Sequence, residues 1–186
     1  MSAKNIFIVS ISILFFVRGV AFPVFAQESA PSASTPPAKI VNYQLPYPGM
    51  LPDNPLYFLK VIRDTLLAFF ISKPLDKANF YLLQSDKNVE ASYLLITQQQ
   101  GEVSLAVSTF SQAQDDFHYA ITQTKDAKRQ GYNIKGISEK LAAAQQKHVQ
   151  ILHALAKQND KKDAQEIQNE LAREEIFAKE VKILER

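Results

Sequence analysis

Residues 51–70 read LPDNPLYFLKVIRDTLLAFF, and the way this stretch folds decides how the rest of the chain is built. Asn54 is suited to cap a helix and Pro55 to open it, because the N–H that proline lacks has no partner in a first turn anyway. From there a helix is expected to run to about Ser72. Between Leu56 and Ile71 the only polar side chains besides Tyr57 are Lys60, Arg63, Asp64 and Thr65. Lys60 and Asp64 are four apart, so the polar group occupies one narrow stripe and the remaining surface is apolar. In a soluble protein such a helix is expected to be the central one, covered by partners on most of its circumference. If it is not covered, it is a docking surface.

Downstream the punctuation is sparse. All nine prolines lie at or before Pro74, a pattern that suits long helices. Gly101, Gly131 and Gly136 fall where the apolar periodicity stops. A second helix is expected from about Pro74 to Gly101, with Leu75, Ala78, Leu82, Val89, Tyr93 and Ile96 on its apolar side. A third follows to about Gln130, striped by Val103, Ala106, Phe110, Ala113, Phe117, Ala120 and Thr124. Its steady alternation of three and four suits packing against another long helix, as in a coiled coil. A fourth spans about Ile137 to Gln158 through Leu141, Ala144, His148, Ile151 and Leu155. That register then turns polar, and a new one begins at Ala164, Ile167, Leu171, Ala178 and Val181. A break near Asn159 is therefore expected, with Asp160 as cap, although one bent helix would fit too. The fold class is all-α: an elongated antiparallel helical bundle of four to five helices over residues 49–186.

Upstream, residues 1–26 read as a signal peptide. Lys4 supplies the positive end, Ile6 to Val17 the apolar run, and Val24-Phe25-Ala26 the small residues of a cleavage site. The alternative is an anchor held by an uncleaved N-terminal helix, against which Arg18 and Pro23 argue. Residues 27–48, rich in Pro, Ser and Ala, are expected to form a flexible linker, with an ordered arm through Tyr43, Leu45 and Tyr47 as the alternative. The chain is thus expected to be secreted or held at the cell envelope.

Composition narrows the chemistry. With no cysteine there is no disulfide, thiolate or thiol nucleophile, and stability has to come from packing. Removing Lys4 and Arg18 from the 21 basic side chains leaves 19 against 19 acidic ones. Nucleic-acid binders concentrate a basic excess on one face, so no nucleic acid is expected as partner.

The motifs LPDNPLYFLK, Leu66-Leu67 with Phe69-Phe70 ahead of Pro74, and KANFYLLQSDKNVEASYLL resemble a bacterial domain-of-unknown-function family found in exported or envelope-facing proteins. The likeness covers about residues 46–96. The chain departs from the family pattern at Ser85, where alanine is usual, and at Asn88, where arginine is. Asp86 and Glu90 remain, so the resemblance implies an ion pair that Asn88 cannot make here. It implies a helical domain and no activity.

Candidate sites are few. Asp115, His118 and His148 could converge between the third and fourth helices as a metal or small-ligand site. The competing and preferred reading is that His118, His148 and His153 are solvated or half-buried. The pairs Asp115-Asp116 and Glu174-Glu175 could serve acid–base chemistry, but on helices of a charge-balanced chain they read as solvated faces. No Gly-x-Ser-x-Gly turn or glycine-rich phosphate loop is present, so no catalytic residue, cofactor or metal is expected and the chain is not expected to be an enzyme. The terminal segment, with Ile167, Leu171, Ile176, Phe177, Val181 and Leu184, is expected either to bind an envelope protein partner or a second copy, or to fold back onto the bundle.

Overall fold

The computed structural model describes residues 42–98, 102–158 and 162–186. The expected signal peptide, the linker up to residue 41, Gly101 and Asp160 lie outside the described residues. Helices α1 (Tyr57–Phe70), α2 (Pro74–Gln98), α3 (Val103–Arg129), α4 (Lys135–Gln158) and α5 (Ala164–Leu184) account for most of them, and no strand occurs among them. The all-α bundle read from the sequence is what forms.

Each long helix follows its stripe. Phe110, Ala113, Phe117 and Ala120 on α3 and Leu141, Ala144, Ile151 and Leu155 on α4 are buried, as their spacing requires. Helix α3 stops where Gly131 turns to a positive φ of 81°. The Tyr132 N–H then bonds the Ala127 carbonyl and the Gly131 N–H the Lys128 carbonyl, which satisfies the last open carbonyls of the helix. Gly136 does not break the pattern. It sits inside the first turn of α4.

Consecutive helices run antiparallel, and the two hairpins α2–α3 and α4–α5 stack on each other. Ser104 bonds Asp163, Ser111 bonds Glu170, and Lys125 bonds Glu180, at sequence offsets of 59, 59 and 55. A nearly constant offset along two helices means that α3 and α5 run side by side in the same direction. Helices α2 and α4 are likewise adjacent, joined through Asp86 and His148.

The buried apolar side chains form two clusters rather than one. One contains Leu82, Phe117, Ala144 and Phe177, the other Val89, Ala113, Ile151 and Ile167. All four helices pass through both. The residues between the clusters on each helix, Ser85 and Asp86, Gln114, His148, Glu170 and Glu174, are buried and polar. They form a polar waist across the middle of the bundle.

Two expectations are corrected. Helix α1 is not central: the packed helix pairs are all drawn from α2 to α5, and α1 lies on the outside. The last residues assigned to the flexible linker are also packed. Tyr43 lies against the first cluster and Leu45 against the second, because packing there takes their apolar surface out of water. Tyr47 of the same arm points to solvent.

Candidate functional site

Helix α1 is seated by its polar stripe. Lys60 is buried, and its Nζ donates to Oδ1 of Asn88 at 3.3 Å while lying 4.9 Å over the Tyr57 ring. The Tyr57 hydroxyl reaches the same Asn88 oxygen at 3.5 Å, and the Asn88 amide donates to Oδ2 of Asp116 at 3.1 Å. Asn88 is therefore a hub joining α1, α2 and α3, and the cation at this joint is Lys60 of α1. Burial pulls the Lys60 amine below its ordinary value, with nearby Asp64 opposing. Burial likewise pushes the Asp116 carboxyl up to about 7, although the Asn88 hydrogen bond holds it back.

A cavity of about 190 Å³ lies beside this joint, lined by Tyr57, Lys60, Asp64, Phe80, Tyr81, Asn88 and Asp116 among others. It is below the roughly 300–1,000 Å³ of ordinary small-molecule sites.

With Lys60 and Asp64 turned inward and Arg63 and Thr65 left exposed, an apolar arc faces out. At about 100° per residue, Phe58, Leu59, Ile62, Leu66, Phe69 and Phe70 fall within an arc of about 120° opposite Lys60 and Asp64. All six are exposed, Phe69 by 81% and Phe70 by 75%. Six large side chains with roughly 100 Å² each in water make a patch of about 600 Å². Covering it fully would recover on the order of 15 kcal/mol at about 25 cal/mol per Å². A patch at or above the upper end of what monomers carry marks a contact site.

The polar waist is the second candidate. Tyr43 donates to Oδ2 of Asp86 at 2.5 Å, and Asp86 Oδ1 meets Nε2 of the fully buried His148 at 2.9 Å. Burial, then the Asp86 charge, drives the Tyr43 hydroxyl far above the ordinary phenol value, so it stays a neutral donor. Phe117 sets its ring edge-on to His148, 5.0 Å between centroids. On α5, Glu174 accepts from Gln145 at 3.2 Å, and burial pushes its carboxyl up to about 7 against the opposing pull of His148. Glu170 accepts from Ser111 at 2.6 Å and from Arg173 at 3.2 Å. His148 Nδ1, Glu170 Oε2, Glu174 Oε1, Ser85 Oγ and both polar atoms of the Gln114 amide are buried with no protein partner. The Tyr43–Asp86–His148 chain has the form of an oriented base; Tyr43 and Asp86 line a recess with Asn79, Leu82 and Lys140, and His148 lies behind them in the core.

The histidine readings are corrected for the three-residue convergence and for His148, while His118 and His153 are exposed as expected. Asp115, His118 and His148 do not converge: His148 is held by Asp86, His118 is exposed with its ring stacked on Phe177, and Asp115 pairs with Arg173 at 2.7 Å. No group of three acidic or histidine side chains among the described residues is placed to hold a metal ion. His148 is also not solvated, because its stripe position carries it into the waist; His153 is exposed. The acidic pairs split. Asp115 and Glu175 are exposed while Asp116 is largely buried and Glu174 fully so, since adjacent helix positions face about 100° apart.

The terminal helix folds back, burying Ile167, Phe177, Val181 and Leu184 and leaving Ile176 and Ile183 outside. Comparison with protein-family models, with curated proteins and with solved structures finds no match to this chain.

Proposed function

We propose that the chain is an exported, non-enzymatic contact module of the cell envelope, in which a helical bundle presents the apolar face of α1 to a binding surface. The observation that carries this reading is the inverted seating of α1, Lys60 and Asp64 on the bundle side and six large apolar side chains outward. Export is supported by the signal-like residues 1–26, and an envelope setting by the family resemblance over residues 46–96. The contact runs through α1 and not through the terminal helix, whose stripe is taken up inside the bundle. The waist serves the fold: polar layers buried in a bundle fix which helices pair and in what register.

Site-specific photo-crosslinking tests the reading. A photo-reactive residue in place of Leu66 is expected to give envelope-dependent adducts in cell-envelope preparations, while one in place of Ile183 gives none. Equal yields at the two positions, or no adduct at Leu66, would remove α1 as the contact surface.

A further inference from the structure

Resting on the contact reading above, we propose that the outward face of α1 seats in the interfacial layer of a lipid bilayer, with the helix lying in the membrane plane.

Three observations choose lipid over protein. The first is hydrogen-bonding capacity. None of the six side chains in the outward arc carries a donor or acceptor. The polar groups at its edges are already engaged: the Arg63 guanidinium by Asp64 and the Thr65 hydroxyl by the Val61 carbonyl. Specific protein interfaces carry about one hydrogen bond per 100–200 Å², and even homodimer interfaces stay about one-third polar. Hydrocarbon asks for none.

The second is size and shape. A stable protein interface buries about 800 Å² on each partner, more than the roughly 600 Å² of this face. The face is a single convex helix, a form that sinks about 5–10 Å into the boundary between headgroups and acyl chains. At 14 residues and about 1.5 Å per residue, α1 is about 21 Å long, too short for the roughly 30 Å of a bilayer core. None of the described helices is long and apolar enough to cross a membrane. The helix therefore lies on the bilayer.

The third is charge. A recess along one edge of the face is lined by Tyr47, Met50, Leu59 and Lys87, together with Lys60 and Arg63, whose cations are already held by Asn88 and Asp64. Lys73 is exposed just past the end that carries Phe69 and Phe70. Cations on long stems beside an apolar helix, with a tyrosine at the edge, suit anionic headgroups at the water boundary.

The chain contains no tryptophan, so a single one introduced at a chosen place reports that place alone. The full chain carrying Leu66→Trp is mixed with vesicles of phosphatidylethanolamine and phosphatidylglycerol, with plain or brominated acyl chains. Its emission is expected to move to shorter wavelength and to lose most of its intensity over brominated lipid. The Ile183→Trp chain, labelled on an exposed position of α5, is expected to change little. An apolar N-terminal run that held the chain to the vesicle would not by itself produce this contrast. Emission from Leu66→Trp that ignores vesicles overturns the lipid assignment. So does emission already at short wavelength without lipid and moving to longer wavelength on dilution, which would give the face to a second copy of the chain. Envelope-dependent crosslinks at position 66 without any vesicle response would leave the contact reading standing and the lipid proposal refuted. Absence of both removes both.

Discussion

The waist of the bundle and the outer face of α1 depart from the usual distribution of side chains in opposite senses. At the waist Asp86, His148, Glu170 and Glu174 are almost wholly buried, while on α1 Phe58, Leu66, Phe69 and Phe70 stand in water. The two differ in what offsets the misplacement. The waist is offset in part internally, by hydrogen bonds from Tyr43, Gln145 and Ser111 and by a Glu174 carboxyl that burial has weakened as an acid. The face of α1 has no internal offset among the described residues, so its cost persists until something outside covers it. A buried polar group answers to the fold, and an exposed apolar one answers to a partner.

The largest expected effect lies at the waist. Asp86→Ala leaves Tyr43 and the buried imidazole of His148 without their shared acceptor, and about 3 kcal/mol of stability is expected to go, read by urea unfolding. A loss under about 1 kcal/mol would mean that the waist holds nothing together.

Next comes a change of opposite sign. The Glu174 carboxyl is raised from 4.5 to about 7 in the folded chain, so the folded state binds this proton more tightly than the unfolded one. The stabilisation is complete below about pH 4.5 and is lost as pH rises through about 7. Asp116, raised from 3.8 to about 7, works in the same direction. Glu174→Gln keeps an acceptor for Gln145 and removes the charge, and is expected to add about 2 kcal/mol at pH 8 and little at pH 4. Melting curves at the two pH values check it. An equal shift at both would show that ionisation of Glu174 is not resisted.

The smallest effect completes the contrast. Phe69→Ser with Phe70→Ser removes two large apolar side chains yet is expected to change stability by no more than about 0.5 kcal/mol, because both lie in water in the folded and unfolded states. A loss of several kcal/mol would place them in a core.

Much of the bundle was legible. The stripes of α2 to α4, and the break before Ala164, follow from apolar spacing that recurs over several turns, and such a signal survives any choice of neighbours. The seating of α1 was not. Its narrow stripe of Lys60 and Asp64 was visible, but composition does not say which side of a helix faces inward. The deciding partners, Asn88 for Lys60 and Asp116 for Asn88, each lie 28 positions away along the chain. The expectation that an almost wholly apolar helix must be central assumed that the chain itself supplies the cover. His148 shows the reverse lesson. Its place in the fourth helix's apolar stripe signalled burial, and treating the residue type as solvated overrode a periodicity that was right.

The most direct test of the inverted seating uses the absence of cysteine from the chain. Single thiols introduced by Leu66→Cys on the outer arc and Ala113→Cys in the core are reacted with a water-soluble maleimide, without lipid and at low protein concentration. The account expects Leu66→Cys to react at the rate of the urea-unfolded chain and Ala113→Cys to be strongly protected. Protection of Leu66→Cys comparable to that of Ala113→Cys would put α1 in the interior and contradict it.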